Sequence, residues 1–177
     1  MHSPYVNQKI YYYKSVIKDP QEIVNSLNDT KESWNFYPTK ENNVQPYQKN
    51  SYEFTEYKKI KIDSINTILT ECISDYEIKN NIKIKKFTDM VIHKSYPGKF
   101  LGSHTDSHGD ENSPLITIIV DFNDNYVGGE LVFDKQNLTL KSIAGSILIY
   151  PSVEPYSHVP TLITSGSKIT GLMFGYL

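Results

Sequence analysis

The sequence predicts a mainly β protein with flanking helices, built as a jelly roll (double-stranded β-helix) of about eight strands, with a small barrel as the alternative. Two observations predict this fold class. From residue 82 onward, short runs rich in β-branched and aromatic residues alternate with turn residues, and no segment of helical periodicity separates them. Before residue 82, two segments have the apolar spacing of amphipathic helices. We expect these two helices to pack on one face of the sheets.

The first helix is predicted over about residues 19–28. It opens with Asp19-Pro20-Gln21-Glu22, which has the form of a capping box with proline at the first helical position. The second helix is predicted over about 61–79, because apolar residues recur there at helical spacing: Ile62, Ile65, Ile68, Leu69, Cys72, Ile73 and Tyr76. A polar segment without periodicity, at about 33–50, is predicted to be a long loop between the helices.

The predicted strands lie between turn residues such as Pro97-Gly98 and Ser165-Gly166. We place them at about 84–96, 102–106, 115–122, 129–134, 137–143, 146–151, 157–163 and 168–176. With 177 residues, the chain has the length of one domain with a substantial core. We therefore predict a single domain over 1–177, in which 1–81 form a helical support and 82–177 form the jelly-roll core.

The composition argues against several classes of function. The formal net charge is −2, so no global basic field favours nucleic-acid binding. No apolar run approaches the roughly 20 residues of a membrane helix, so no membrane partner is expected. The single cysteine, Cys72, cannot form an intramolecular disulfide, and the polar start Met1-His2-Ser3 is not a secretory signal. A cytoplasmic location is the expectation.

The stretch from Tyr96 to Asp106 ends in a His-x-Asp pair. Side chains two residues apart on an extended strand point to the same face, so His104 and Asp106 can direct an imidazole and a carboxylate to one point. A further histidine would complete a triad of two histidines and one carboxylate, which holds Fe(II) and leaves the opposite side open for oxygen and an organic co-substrate. The pair alone is weak evidence, because it often arises by chance.

The later part of the chain supplies candidates for the rest of such a site. His158 lies near the start of a late strand, which in a jelly roll can return beside the early one. Lys168 and Thr170 follow on one face of the next strand, where a cation can bind the distal carboxylate of a dicarboxylate that chelates the iron. A shifted pair, His108 and Asp110, is an alternative, but it falls in a segment predicted to be a loop.

Further residues are candidates for contacts with a substrate. Lys94 is in phase with Tyr96 on its predicted strand and can contact a substrate, although a lysine that reaches solvent is an equal alternative. His93 is out of phase and is expected to face away from the pocket. Trp34 and Tyr37 can form a substrate lid or, alternatively, anchor the long loop.

The motifs of residues 90–176 resemble, in order and spacing, those of a known family. They are Tyr96-Pro97-Gly98, Gly102-x-His104-x-Asp106, Asp121-Phe122-Asn123, Gly128-Gly129-Glu130-Leu131-x-Phe133, Ala144-Gly145-Ser146, His158 and Lys168. The family is that of the Fe(II)/2-oxoglutarate-dependent dioxygenases, and within it the prolyl 4-hydroxylase-like branch. The resemblance implies that His104, Asp106 and His158 are the iron ligands. It also implies that Lys168 pairs with the C5 carboxylate of 2-oxoglutarate, whereas many relatives use arginine.

The resemblance also implies contacts with the co-substrate. Tyr96 matches a family tyrosine that lies in the pocket near the co-substrate or substrate. The family often has a Tyr-Leu-Asn stretch whose tyrosine hydrogen-bonds to 2-oxoglutarate, and the matching residues here are Asp121-Phe122-Asn123. One co-substrate contact is therefore left unassigned. Thr117 and Ile119, on the same strand face as Asp121, would line the pocket, and Gly128-Gly129 would form a turn where a side chain would crowd the backbone.

The implied reaction is oxidative decarboxylation of 2-oxoglutarate to succinate and CO2, coupled to hydroxylation of a substrate carbon. Fe(II), 2-oxoglutarate and O2 are implied, and ascorbate is expected to support activity. The predicted substrate is a proline in a peptide or protein. The alternatives are a free amino acid, another small molecule or a nucleic-acid base. From a different class, the alternative is a jelly-roll module that binds metal without turnover.

Overall fold

The computed structural model describes residues 4–29, 34–36, 55–59, 61–98, 101–107 and 109–177. In these residues the protein is mainly β, with two antiparallel sheets and two α helices, α1 (Pro20–Asp29) and α2 (Asn66–Asn80). The strands are β1 (Tyr5–Asn7), β2 (Ile10–Tyr13), β3 (Asn35–Phe36), β4 (Thr55–Lys59), β5 (Lys86–Phe87), β6 (Val91–Ser95), β7 (Ile116–Asp121), β8 (Leu131–Phe133), β9 (Leu138–Leu140), β10 (Ser146–Pro151), β11 (Val159–Pro160) and β12 (Lys168–Tyr176). No helix among these residues is long and apolar enough to cross a membrane.

Nine of the described strands form the larger sheet, in the order β1-β2-β10-β7-β12-β6-β4-β3, with β5 paired to β12. Strand β7 lies between β10 and β12, near the middle. In the register of these strands, Thr170 of β12 pairs with Asp121 of β7 on one side and with His93 of β6 on the other. Pairing between distant strands thus aligns three polar residues in one row across the sheet.

The two faces of the larger sheet differ, because successive residues of a strand point to opposite faces. On β7, Ile116 and Val120 belong to a buried cluster that includes the apolar side chains of α1 and α2. Burial of this apolar surface holds the helices against the sheet. Thr117, Ile119 and Asp121 alternate with these residues and point to the other face.

The smaller sheet, in the order β11-β8-β9, packs against this second face. Leu131 and Phe133 of β8 join Leu148 and Tyr150 of β10 in a second buried cluster. Two antiparallel sheets that face each other in this way have the architecture of a jelly roll. Side chains from both sheets meet in the space between them.

Several element boundaries differ from the sequence prediction, although β10 and β12 cover the predicted residues. The predicted strand 84–96 is divided into β5 and β6, because the N–H of Phe174 donates to Thr88 Oγ1, where a regular ladder would use a backbone carbonyl. The predicted strand 102–106 contains only one bridge, between His104 and His158. The second helix begins at Asn66, after a 3-10 turn, and not at residue 61.

The N-terminal region, predicted as a helical support, also contributes β1 to β4 to the larger sheet. The described strands therefore number twelve, where about eight were predicted. Sequence patterns miss β4 because its residues, Thr-Glu-Tyr-Lys-Lys, are mostly charged. Lys58 is nevertheless only 2% exposed, since its Nζ donates to the carbonyl oxygen of Leu27 at 2.6 Å and lies over the Trp34 ring. Strand β3 falls within the predicted loop 33–50, most of which lies outside the described residues.

The turn into β8 contains two glycines with left-handed backbone, Gly128 at φ 81 and Gly129 at φ 71. A Cβ added to Gly128 would lie 1.9 Å from the carbonyl oxygen of Leu162. Both the backbone conformation and the close approach exclude a side chain here. The predicted crowding at this turn is confirmed.

Candidate active site

A cavity of about 400 Å³ lies between the two sheets. Its wall on the larger sheet comes from β2, β4, β6, β7, β10 and β12, and its wall on the smaller sheet comes from β8, β9, β11 and the segment that follows β11. His104, Asp106, His158 and Lys168 all line this cavity. The residues predicted to bind the metal and the lysine predicted to bind the co-substrate therefore share one space.

The three predicted metal ligands converge at one end of the cavity, which we call the metal end and define by His104, Asp106 and His158. One potential ligand atom from each residue lies within 4.8 Å of the other two. Nε2 of His104 is 3.7 Å from Oδ1 of Asp106, and Nε2 of His158 is 3.8 Å from Oδ2 of the same carboxylate. A cation placed among these atoms would be within reach of all three residues.

Backbone pairing brings the two histidines together although they are far apart in sequence. The N–H of His104 donates to the carbonyl of His158 at 3.0 Å, and the N–H of His158 donates to the carbonyl of His104 at 2.9 Å. Directly paired residues of an antiparallel bridge place their side chains next to each other, and the ring centroids are 4.5 Å apart. One bridge is therefore enough to position His104 without a regular strand.

The outer ring nitrogen of each histidine is held by a backbone carbonyl. Nδ1 of His104 donates to the carbonyl oxygen of Gly102 at 2.8 Å, and Nδ1 of His158 donates to that of Tyr156 at 3.3 Å. Because a carbonyl oxygen only accepts, both Nδ1 atoms carry a proton, and in the neutral imidazoles both Nε2 atoms then present a lone pair. This is the tautomer that metal ligation through Nε2 requires.

Two hydroxyl groups orient the Asp106 carboxylate. Thr117 Oγ1 donates to its Oδ2 at 2.7 Å, and Tyr150 Oη donates to the same oxygen at 3.1 Å. Burial, with a further contribution from the charge of Asp106, raises the pKa of Tyr150 well above its usual value, so this hydroxyl stays protonated. The carboxylate is thus fixed by one oxygen, and its other oxygen faces His104.

The chemistry of the metal end fits Fe(II). His158 is 5% exposed, and burial lowers its pKa against the opposing effect of the Asp106 charge. A lowered pKa favours the neutral imidazole, which is the form that binds a metal. Two imidazole nitrogens and a carboxylate on one side of an open cavity are the donor set that binds Fe(II) in non-haem oxygenases.

The other end of the cavity, which we call the distal end, is formed by Lys168, Thr170 and Asp121. Nζ of Lys168 donates to the carbonyl oxygen of Gly129 at 2.8 Å. Burial lowers the pKa of this lysine, while the charges of Asp121 and Glu130 raise it. Thr170 lines the same wall. The distal end can therefore offer a cation and a hydroxyl to a carboxylate.

Asp121 is a distal-end residue to which the sequence assigned no role. It is 4% exposed and ends β7, about 13 Å along the strand from Thr117, which bonds to Asp106 at the metal end. Its Oδ2 accepts from Tyr12 Oη at 3.1 Å, and its Oδ1 accepts from Ser142 Oγ at 2.8 Å. Strand alternation alone places Asp121 on the pocket face, but no sequence signal connects it with Tyr12 or Ser142.

The other residues predicted to contact the co-substrate divide into two groups. Ile119 and Thr170 line the cavity, and Thr117 bonds to Asp106. Tyr96 is not part of the cavity wall, and its hydroxyl donates to the Glu56 carboxylate. Strand alternation thus correctly predicts that Ile119 of β7 and Thr170 of β12 face the cavity.

The prediction that His93 faces away from the pocket is wrong. His93 and Ser95 line the cavity, whereas Lys94 is absent from its wall and has its Nζ 5.5 Å from the centroid of the Trp34 ring. Trp34 itself packs against the buried cluster under the helices. The prediction assigned His93 and Lys94 to faces of the strand by counting from Tyr96. It fails because Tyr96 lies beyond the end of β6, where the alternation of the strand no longer applies. The third candidate for a substrate contact, Tyr37, lies outside the described residues.

The alternative metal pair is only partly described. His108 lies outside the described residues. Asp110 is exposed, and its Oδ1 accepts from the N–H of Asn112 at 3.0 Å and from Ser113 Oγ at 2.9 Å. Asp110 thus stabilises a surface turn. In the described part of the chain, the metal end is the one cluster of three or more residues that could hold a metal ion.

Comparison with known sequences gives a relative of the same type. No family model matches the chain. A PKHD-type hydroxylase of Prochlorococcus marinus is 27% identical over 161 residues, which make up 88% of this chain and 69% of the relative.

Solved structures of prolyl hydroxylases share the fold. The viral collagen prolyl hydroxylase of Paramecium Bursaria Chlorella virus-1, in its 2OG complex, gives a TM-score of 0.71 at 15% identity, covering 96% of this chain and 97% of that chain. A Trichoplax adhaerens prolyl hydroxylase, in complex with a hypoxia inducible factor oxygen degradation domain peptide fragment, gives 0.69 at 12% identity, with 95% and 83% covered. A Pseudomonas putida prolyl-4-hydroxylase gives 0.67 at 12% identity, with 95% and 92% covered. At these identities the likeness establishes the fold alone.

The sequence relative, the shared fold and the cluster at the metal end agree with one another. Several of the motifs that suggested the family contribute residues to the cavity wall, namely those that contain His104, Asp106, Asp121, Gly129, Leu131, His158 and Lys168. The chain is therefore similar in sequence to a PKHD-type hydroxylase and has the fold of prolyl hydroxylases, which agrees with the resemblance to the Fe(II)/2-oxoglutarate-dependent dioxygenases noted in its motifs.

Proposed function

We propose that the protein hydroxylates a prolyl residue of a peptide or protein in an Fe(II)- and 2-oxoglutarate-dependent reaction that releases succinate and CO2. The observation that carries the proposal is that the His-Asp-His cluster and Lys168 line the same cavity. A module that only binds metal has no use for a cation in the cavity beside the metal. A chelating dicarboxylate requires both features.

At the metal end, His104, Asp106 and His158 would hold Fe(II). Bound Fe(II) supplies a Lewis-acidic and redox-active centre at which 2-oxoglutarate and O2 react. The chain keeps both imidazoles in the tautomer with a free Nε2, and it fixes the carboxylate through Thr117 and Tyr150. The ligands are therefore held in place before the metal binds.

At the distal end, Lys168 and Thr170 would bind the C5 carboxylate of 2-oxoglutarate. A charge-assisted hydrogen bond of this kind contributes about 1.5–3 kcal/mol. The bond from Lys168 to the Gly129 carbonyl holds the ammonium group in position before the co-substrate binds. Ile119 and Leu172 line the wall between the two ends and offer apolar contact to the carbon chain of the co-substrate.

A prolyl substrate is supported by similarity. The relative from Prochlorococcus marinus is a PKHD-type hydroxylase, and the similar Trichoplax adhaerens prolyl hydroxylase was solved with a peptide fragment. A peptide or protein that contains proline is the substrate class we propose for this chain. Free amino acids, other small molecules and nucleic-acid bases are the alternatives that the experiment must separate.

The test is succinate production by protein loaded with Fe(II) under anaerobic conditions and then supplied with 2-oxoglutarate, ascorbate and O2. The assay is run with and without a panel of proline-containing peptides. We expect peptide-stimulated succinate, with the gain of one oxygen atom on proline detected by mass spectrometry. Succinate that no peptide stimulates would overturn the prolyl substrate and direct the search to small molecules and bases. No succinate from a sample with verified iron would overturn the dioxygenase assignment.

We also propose that residues 1–177 form one domain, that the protein acts in the cytoplasm, and that ascorbate sustains its activity. Strands from both 1–81 and 82–177 pair in the larger sheet, which supports one cooperative unit. A single unfolding transition is expected, and two separate transitions would contradict it. The cytoplasmic location rests on the single cysteine, Cys72, and localisation of the tagged chain in its host tests it.

A further inference from the structure

We propose that Asp121 takes up a proton when 2-oxoglutarate binds, so that the neutral acid donates a hydrogen bond to the distal carboxylate of the co-substrate. This inference rests on the proposed function, because it concerns how the distal end accepts 2-oxoglutarate. It assigns a role in co-substrate binding to Asp121 and makes that binding dependent on pH.

The geometry places Asp121 beside the site for the distal carboxylate. Thr170 pairs directly with Asp121 across β12 and β7, and both residues line the cavity. Lys168 lies on the same wall, two residues before Thr170. A carboxylate bound to Lys168 and Thr170 is therefore next to the carboxyl group of Asp121, in a place where that group is buried.

Binding of the co-substrate's distal carboxylate would leave the charges at the distal end unbalanced. Lys141, Lys168 and Asp121 line this end of the cavity, and Glu130 lies close enough for its charge to interact with both lysines. The formal charges of these four groups cancel before the co-substrate binds, and the nearby Asp124 is exposed, so its negative charge is screened by solvent. The distal carboxylate adds one more negative charge in a poorly solvated space, and Lys141 is exposed, so its charge is screened by solvent. Uptake of one proton restores the balance.

Asp121 is the carboxylate suited to accept this proton. Burial raises its pKa, against the opposing charge of Lys168. The pKa of Glu130 is lowered, mainly by the hydrogen bond from Thr161, so Glu130 stays ionised. A second carboxylate placed beside Asp121 would raise the pKa of Asp121 further.

Among the other groups around Asp121, the hydrogen bonds from Ser142 and Tyr12 stabilise the carboxylate and lower its pKa, but burial is the largest influence and raises it. Tyr12 from β2 and Tyr126 from the segment after β7 have raised pKa values and stay neutral. The charge of Asp124, in that same segment, raises the pKa of Asp121. His93 of β6 lies in the same cross-strand row, with Thr170 between it and Asp121.

Hydrogen bonds hold the carboxyl group of Asp121 in place in either protonation state. The hydroxyl of Tyr12 accepts from the N–H of Ile143 at 2.8 Å and donates to Asp121 Oδ2 at 3.1 Å, which is closer than its other acceptor, the Lys141 carbonyl at 3.4 Å. Ser142 donates to the other oxygen. When Asp121 is protonated, its carbonyl oxygen still accepts one of these bonds, and its O–H can turn toward the cavity.

Calorimetry can count the proton directly. Protein loaded with Mn(II) is titrated with 2-oxoglutarate at one pH in buffers that differ in ionisation enthalpy. We expect uptake of up to about one proton per co-substrate bound. The proposal requires the pKa of Asp121 to be higher in the complex than in the protein without 2-oxoglutarate. The affinity for 2-oxoglutarate is therefore greatest at a pH below the pKa of Asp121 in the free protein. Kd then rises by up to about tenfold per pH unit between the two pKa values.

Matched variants and ligands identify the group that takes up the proton. Asp121→Asn keeps the size of the side chain and can donate from its amide, so proton uptake should vanish and Kd should lose its pH dependence. Asp124→Asn removes a nearby exposed acid and should retain the uptake. Oxalate chelates the metal without a distal carboxylate and should bind without taking up a proton.

The outcomes separate the inference from the function on which it rests. Binding of 2-oxoglutarate to the wild-type protein without proton uptake overturns the role of Asp121 and leaves the proposed function standing. Equal uptake by wild type and Asp121→Asn also overturns it, because the proton would then belong to another group. No binding of 2-oxoglutarate to the Mn(II)-loaded protein would overturn the proposed function itself.

Discussion

The metal end and the distal end belong to one cavity, but different kinds of contact hold them. At the metal end, the carbonyl that orients each histidine comes from the residue two positions earlier in the chain. At the distal end, Lys168 bonds to Gly129, 39 residues away, and Asp121 bonds to Tyr12, 109 residues away. The ring orientation of the two histidines is thus a local property, whereas the Asp106 carboxylate, held by Tyr150, and the distal end depend on the assembled sheets.

The two ends also differ in charge. At the metal end, one carboxylate faces two imidazoles, and the proximity of three donors favours a cation. At the distal end, carboxylates and lysines already balance one another, so a second carboxylate enters only with a compensating change. The comparison teaches that the metal end favours a cation as it stands, whereas the distal end offers Lys168 to a carboxylate but, on our proposal, takes up a proton to accept its charge. Substitutions at the two ends should therefore separate metal binding from co-substrate binding.

The largest effect is expected at the metal end, from His158→Ala. Loss of one of two imidazoles should abolish iron binding at this site and with it all turnover, as measured by metal analysis and succinate production. His93→Ala is the matched control, because it removes a cavity histidine outside the cluster, and it should still bind iron. Full activity of His158→Ala would eliminate the ligand assignment.

The next effect separates the distal end from the metal end. Lys168→Ala should weaken 2-oxoglutarate binding by about 1.5–3 kcal/mol, roughly 10- to 100-fold in Kd, with little change in metal affinity. Calorimetry measures both dissociation constants: titration of the metal-free protein with Mn(II) gives that of the metal, and titration of the Mn(II)-loaded protein gives that of 2-oxoglutarate. Lys168→Arg keeps the charge but replaces a point charge with a planar fork, so it should recover only part of the affinity. An unchanged Kd in Lys168→Ala would contradict the role of the lysine.

A smaller effect tests the support for the metal ligands. Tyr150→Phe removes one of two hydroxyl donors to Asp106 and should lower metal affinity about tenfold. At saturating metal, the Kd for 2-oxoglutarate should be nearly unchanged, because Lys168 is untouched. Tyr76→Phe is the control, since its hydroxyl bonds to the Lys9 carbonyl away from the cavity. Equal metal affinity in the two variants would show that Tyr150 does not position the carboxylate.

The smallest effect is expected from Lys94→Ala, a substitution on the larger sheet outside the cavity wall. Lys94 lies over Trp34, outside the cavity wall. Lys94→Ala should lower the free energy of unfolding by about 0.5–1 kcal/mol through the lost cation–π contact, and it should leave the Kd for 2-oxoglutarate unchanged. Denaturant titration and calorimetry measure the two quantities. A raised KM for the peptide would instead support the substrate contact predicted from sequence.

The sequence was informative wherever a strand keeps its alternation. Within β7 and β12, alternation correctly placed Ile119 and Thr170 on the cavity wall. It failed for His93, because the phase was taken from Tyr96, which lies past the end of β6. It also failed for β4, where Lys58 is buried through contacts with residues that no local pattern identifies.

The sequence by itself determined the metal motif, the candidate distal lysine and most of the strands from residue 115 onward, because these follow from short-range alternation and spacing. Only the tertiary structure decided that β1 to β4 join the larger sheet, that His104 bridges to His158, and that Tyr12 reaches Asp121. Side-chain alternation follows from local backbone geometry, and residues close in sequence express it directly. The pairing of distant segments depends on the packing of the whole core, which no short stretch of sequence contains.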